Sequence, residues 1–442
     1  MRLISTALLL TCTFVVHEGH ANTKDSNHHR ISKPNNIIMV VADGMGPAYT
    51  TAYRNFMDNP ATDEVEKVIF DEMFVGNATT YPAKVSGYVT DSAASATALA
   101  TGVKSYNGAI GVDVNRKALP TVLHRAKEKG MKTGLAVTSQ INHATPASYM
   151  VANESRNNYE ALANSYFDDR INETFLADVM LGGGIDYFAR KDRNIQKEFA
   201  SNGYAVVNSY EELANAPKDK PILGLFAPKG LPAALDDSKP ERLAFLTEQA
   251  IKRLENPHGF FLLVEASQVD WAGHANDIAS AMAEMHDLAK TMEYLQRYVE
   301  RHPDTLVILT ADHSTGGLTI GANGQYAWKP EFIANMKASV GNIAKHVSKH
   351  DKPLSYIEAQ FGFTLSEEDK QTLKQSLADS QANAMVTHLK AFLDAKTHTG
   401  WTTGGHTGVD VEVFALGAGY EEFIGQIDNT DIAKKIFKLL EK

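Results

Sequence analysis

The chain has 442 residues, 43% of them hydrophobic and 22% charged, which is ample length for a large globular core. Its formal net charge is −10 with no dense lysine–arginine face, which argues against general nucleic-acid binding; an anionic substrate must be attracted locally, by metal ions or a placed arginine. The single cysteine, Cys12, lies in the apolar N-terminal stretch, so beyond it there is no disulfide or thiolate ligand, and any metal site must use His, Asp, Glu and hydroxyl groups.

Residues 1–21 read as a secretory signal peptide: Arg2 supplies the positive start, Leu3 to Val16 the apolar stretch, and Gly19-His20-Ala21 a small-residue cleavage site. That stretch is too short for a spanning helix, and no later segment qualifies as an integral membrane segment. The expected location is periplasmic or secreted, with cleavage after Ala21. Residues 22–442 are expected to form a single catalytic domain, opened by a polar leader over 22–35.

Residues 36–42 form a short apolar run ending at Asp43-Gly44-Met45-Gly46, which suits a strand buried on both faces. Val89-Thr90-Asp91-Ser92 then leads into a run of tiny residues ending at Gly102, which reads as a helix with Ser92 in its first turn. A helix N-terminus offers unpaired N–H groups and a positive dipole end, so a serine there can hold a phosphate and attack it once its proton is removed. Taken alone, Asp91 or Ser92 merely caps the helix. Apolar runs recur at 133–138, 260–264, 305–310 and 411–416, interspersed with helical patterns at 119–129, 241–254, 275–300 and 430–440. This alternation predicts an α/β three-layer sandwich, a central mainly parallel sheet flanked by helices, with ligands beyond the carboxyl ends of its strands. Asp43, Glu265 with Asp270, and Asp312 with His313 fall at such ends. Gly182-Gly183-Gly184 reads as a strand-to-loop turn, and His124, His286, His346, His350 and His388 as surface residues. Residues 324–399 read as a helix-rich insertion, serving either as a dimer contact or as a solvated excursion.

Asp270 and His274 are four residues apart, so on a helical turn both face one way. Alone, that spacing is more often a surface ion pair than a metal site. Asp312-His313 adds an adjacent carboxylate and imidazole, and His406 stands in a glycine-rich loop before the last strand. Together they offer enough N and O ligands for two zinc ions.

Seven ordered motifs resemble the alkaline phosphatase family: Asp43-Gly44-Met45-Gly46, residues 90–97 (TDSAASAT), Thr101-Gly102-Val103-Lys104, residues 107–112 (NGAIGV), Ala144-Thr145-Pro146-Ala147, residues 312–317 (DHSTGG) and Gly405-His406-Thr407. The resemblance runs from about residue 36 to the C-terminus and is weak across 190–240 and the insertion. It implies Asp270, His274 and His406 as ligands of one zinc, and Asp43, Asp312, His313 and the Ser92 hydroxyl as ligands of the other. It implies a third, all-oxygen magnesium site with Asp43, Thr145 and Glu265, beside His143. Arg156 follows Thr145 at the family's spacing as the phosphate clamp, with Asp91, His143 and Trp271 also facing substrate. The implied enzyme is a homodimeric phosphomonoesterase with two Zn²⁺ and one Mg²⁺ per subunit and an alkaline optimum. Its substrates would be small phosphate monoesters, hydrolysed through a phosphoserine at Ser92.

Many family members carry Asp where His143 stands and Lys where Trp271 stands; the difference is expected to weaken magnesium and to loosen phosphate. Sulfatases of similar architecture build their nucleophile in a Cys/Ser-x-Pro-x-Arg pattern, which Ser92-Ala93-Ala94-Ser95-Ala96 does not match. A diesterase would lack the arginine, and a phosphate- or metal-binding protein would not need the nucleophile.

Overall fold

The computed structural model describes residues 33–378 and 382–441. The expected signal peptide and cleavage after Ala21, and Cys12, lie outside those residues. The strands, in chain order, are β1 (Asn36–Val41), β2 (Phe74–Thr79), β3 (Lys132–Gln140), β4 (Val179–Gly183), β5 (Ala205–Val207), β6 (Ile222–Leu225), β7 (Phe260–Glu265), β8 (Thr305–Thr310), β9 (Ser314–Thr315), β10 (Thr319–Ile320), β11 (Thr399–Gly400), β12 (His406–Thr407), β13 (Val411–Gly417) and β14 (Gly425–Asp428). Ten of them form one sheet in the order β14-β2-β13-β8-β1-β7-β3-β4-β6-β5. Every pairing within this sheet is parallel except those of β13, which runs antiparallel to both β2 and β8. In β1, β7 and β8 every residue is buried, which is why they appear in sequence as unbroken apolar runs rather than alternations.

Two sets of helices flank the sheet. Ser92–Thr101, Val122–Glu128, Ala144–Met150 and Asn429–Glu441 pack on one another; Pro47–Met57, Arg242–Leu254, Gln268–Ala275 and Ile278–Arg301 form the second set. This is the expected three-layer α/β sandwich.

Ser92–Thr101 is buried on all sides, which explains its tiny residues; Gly102 closes it at a positive φ of 74°. The helix expected over 119–129 starts only at Val122, because Thr121 accepts the His124 backbone N–H as its cap. The helix expected over 275–300 is one helix that starts only at Ile278, since Ala275 ends the preceding helix Gln268–Ala275. The chain reverses at Asn276 (φ 49°), and Asp277 caps Ile278–Arg301 by accepting from Ser280 N. Gly182-Gly183 end β4 and Gly184 turns at positive φ, but the turn leads into the short helix Ile185–Phe188 rather than into a loop. The five surface histidines need correction: only His350 is exposed. His124 and His286 are half-buried and hydrogen-bonded to Thr121 and Tyr53, and His388 Nδ1 is buried. The helices between 340 and 397 leave and rejoin the body at a neck where Thr319 pairs with Gly400 and Ile320 with Thr399. Among the described residues no helix is long and apolar enough to cross a membrane.

Candidate active site

β1, β7 and β8 lie side by side, and their carboxyl ends deliver Asp43, Glu265 and Asp312 to one buried point. Gly44, at φ +77°, makes the first bend possible: its N–H donates to Asp312 Oδ1 (3.1 Å), and a Cβ there would sit 2.7 Å from the Asp270 Cα. His313 Nε2 lies 3.3 Å from Asp43 Oδ1, 3.2 Å from Asp312 Oδ2 and 3.0 Å from Ser92 Oγ. The serine is the first residue of its helix; Asp91 caps that helix through Oδ1, which accepts from Ala94 N (2.9 Å). The second Asp91 oxygen accepts from Arg156 Nη1 at 3.0 Å.

The expected four-residue spacing holds on the helix Gln268–Ala275, where His274 Nε2 is 3.4 Å from Asp270 Oδ2. His406 joins them because β12 pairs with β9, setting His406 opposite Thr315. Its Nε2 is 3.6 Å from Asp270 Oδ1 and 3.2 Å from His274 Nε2. Each ring is oriented from behind: His274 Nδ1 meets the Gly404 carbonyl (2.6 Å) and His406 Nδ1 the Thr90 carbonyl (2.9 Å). A carbonyl only accepts, so both rings carry hydrogen on Nδ1 and turn the Nε2 lone pair inward, as a metal ligand requires.

Three groups of side chains thus have ligand atoms within 4.8 Å of one another: Asp270–His274–His406, Asp43–Asp312–His313 and Asp43–His143–Glu265. In the last, His143, at the N-cap position of the helix Ala144–Met150, brings an imidazole beside the two carboxylates. Both Asp43 oxygens, Asp312 Oδ2, Glu265 Oε1, Thr145 Oγ1 and His143 Nδ1 are buried without a hydrogen-bond partner. So many orphaned polar atoms facing one another fit cations and little else. Charge tells the same story. Burial, and then Asp312, Asp270 and Glu265, push Asp43 well above the carboxylate range. Burial likewise pushes Glu265 up to about 7. Burial, reinforced by Arg156, holds His143 down to about 3, so that ring is neutral.

Trp271 lies beside the site, its ring edge-to-face with His143 at 5.8 Å. It packs against Gly230, where a Cβ would sit 2.2 Å from the indole Cη2. Every residue expected at the site therefore lies in or beside this cluster. Sequence reasoning missed Thr315, whose hydroxyl hydrogen-bonds Asp270 and lies 3.2 Å from His313 Nδ1. Its signal was its place inside the Asp312–Gly317 motif; the carbonyls of Thr90 and Gly404 carry no sequence signal at all.

The family model for alkaline phosphatase matches residues 34–442. Alkaline phosphatase 3 of Bacillus subtilis (strain 168) is 44% identical over 411 residues, 92% of this chain and 89% of that protein. The crystal structure of a cold-active alkaline phosphatase from a psychrophilic Shewanella sp. superposes with a TM-score of 0.87 at 48% identity, covering 92% of this chain and all of that one. A variant of the TAB5 alkaline phosphatase, with one histidine replaced by glutamate and Mg bound in its M3 site, superposes with a TM-score of 0.69 at 26% identity, covering 93% and 99%. On this evidence the chain belongs to the alkaline phosphatase family and is a phosphatase of the hydrolase class.

Proposed function

We propose that this protein hydrolyses phosphate monoesters to alcohol and inorganic phosphate through a covalent phosphoserine at Ser92. The observation that carries the reading is the placement of Ser92 Oγ. It sits at a helix N-terminus, 3.0 Å from His313 Nε2, among buried polar atoms without a hydrogen-bond partner.

Asp270, His274 and His406 would hold one Zn²⁺; Asp43, Asp312, His313 and Ser92 would hold the other. Asp43, Thr145 and Glu265, with His143 alongside, would hold Mg²⁺. When bound, these ions supply positive charge that lowers the pKa of coordinated hydroxyls and stabilises oxygens as they gain charge. The protein does the rest. Arg156 grips two non-bridging phosphoryl oxygens with its planar fork. The helix dipole and first-turn N–H groups of Ser92–Thr101 favour the same anion. Ser92 Oγ forms a bond to phosphorus as the bond to the alcohol oxygen breaks, and the alcohol leaves with a proton. Water then attacks the opposite face, the Ser92 Oγ–phosphorus bond breaks, and phosphate is released. The grip is on the phosphoryl group, so many small phosphate monoesters qualify as substrates.

The same reading extends to export through residues 1–21, a single catalytic domain over 22–442 and a homodimer. It also includes the alkaline optimum, as expected of carboxylate and imidazole ligands that must stay deprotonated. Hydrolysis of p-nitrophenyl phosphate tests the centre of it. Activity should vanish on chelation, return with Zn²⁺ and Mg²⁺, and be absent in Ser92→Ala. Intact activity in Ser92→Ala removes the covalent mechanism.

A further inference from the structure

Asn107 is an exposed residue in the turn after the Ser92 helix, and nothing in its own chemistry suggests catalysis. Its hydrogen bonds are nevertheless unusual. The side-chain Oδ1 accepts from Asp91 N (3.1 Å) while Nδ2 donates to the Val89 carbonyl (3.1 Å). Its backbone N–H donates to Ser86 Oγ (2.9 Å), anchoring the turn to the same segment. One carboxamide therefore pairs with residues 89 and 91 as a neighbouring strand would, leaving out the residue between them. In an extended segment successive carbonyls point to opposite sides. Holding Val89 and Asp91 toward Asn107 thus turns the Thr90 carbonyl the other way, and there it accepts from His406 Nδ1 (2.9 Å). On the other side of Asp91 begin the Ser92 helix and the contact to Arg156. The next residue in the turn, Gly108, accepts the Arg156 backbone N–H through its carbonyl (2.8 Å).

We propose that Asn107 is a positioning residue: its carboxamide sets the rotation of residues 89–91, and through it the aim of Ser92, of the His406 ring and of the Arg156 segment at once. The proposal rests on the roles given above to Ser92 and His406. It makes the 106–109 turn a common brace for nucleophile, metal ligand and clamp, three parts that otherwise lie on separate elements.

The test is Asn107→Ala, with Asn107→Asp as the variant that keeps the acceptor for Asp91 N but loses the donor to Val89. Three quantities are measured: kcat and KM on p-nitrophenyl phosphate, Zn²⁺ affinity by calorimetry on the metal-stripped protein, and Tm. Losing an outer support of a metal ligand is expected to weaken Zn²⁺ about tenfold or more and to lower kcat similarly in Asn107→Ala. Asn107→Asp should fall between it and the parent, and Tm should stay within a few degrees. Zn²⁺ affinity and kcat within twofold of the parent in both variants overturn the proposal, as does a loss of activity that only tracks a fall in Tm in both. Should Asn107→Ala fail to fold, Asn107→Asp decides by the same two readouts. Ser92→Ala run alongside separates the two ideas. If it stays active, the reading of the site fails; if it is dead while both Asn107 variants behave as parent, only the brace fails.

Discussion

Arg156 and Asp91 form an ion pair at the mouth of the site, Nη1 to Oδ2 at 3.0 Å, with side chains 20% and 22% exposed. Its effect is to hold the guanidinium in place before substrate arrives. Arg156→Lys keeps the charge but loses the fork. KM for p-nitrophenyl phosphate should rise about tenfold, and inhibition by inorganic phosphate should weaken in step, with Tm unchanged. Unaltered phosphate inhibition would show that the guanidinium does not touch the phosphoryl group.

Metal removal should change how stability responds to pH. In the metal-free protein burial raises Glu265 to about 7 and Asp43 in the same direction. Groups whose folded pKa is raised bind more protons folded than unfolded. Their contribution is therefore greatest below the unfolded pKa near 4.5 and is lost as pH rises toward 7. Metal binding runs the other way, since it needs the ionised carboxylates. The Tm gap between metal-loaded and EDTA-stripped protein should widen from pH 5 to pH 8 and then level off. Scanning calorimetry across that range gives the answer, and a gap that narrows with pH contradicts the account.

Gly44 should tolerate no side chain. Its φ of +77° already disfavours alanine, and the added Cβ would meet the Asp270 backbone at 2.7 Å, which cannot swing away as a flexible side chain could. Gly44→Ala should push the Asp43 bend from the Asp270 helix and cost about 100-fold or more in kcat/KM, since misplacement of about 1 Å is enough for that. A variant with near-parent kinetics would mean the two segments move freely against each other.

His143 and Trp271 touch edge-to-face, so they should be exchanged together. The double change His143→Asp, Trp271→Lys places a carboxylate by Asp43 and Glu265 and a cation near phosphate. Magnesium dependence should shift toward tighter binding, and phosphate should inhibit more strongly, with kcat falling if product release limits turnover. Phosphate inhibition constants and Mg²⁺ activation curves report both effects; unchanged phosphate affinity removes the idea.

Much of this architecture is readable from residues alone where burial is two-sided. β1 and β8 announce themselves as apolar runs because nothing in them touches water. β5 and β6, at three and four residues, are too short to stand out from loop sequence, and β2 alternates half-buried positions near a sheet edge. The reversed direction of β13 has no local signature; direction is settled by how the chain returns, not by which side chains it carries. In the site, every ligand-type residue is recognisable by chemistry and motif. What aims them is not: the Thr90 and Gly404 carbonyls belong to the backbone, and Asn107 looks like any turn residue.

The neck formed by Thr319–Ile320 and Thr399–Gly400 brings the two ends of a long excursion side by side. Because those ends already meet, closing a longer loop between them costs little in entropy, while Ser339 and Val340 fasten the excursion a second time, to Asp236 and Asp277 on the body. A change of length is therefore absorbed most cheaply in the outer helices, where both the neck and this second fastening stay in place.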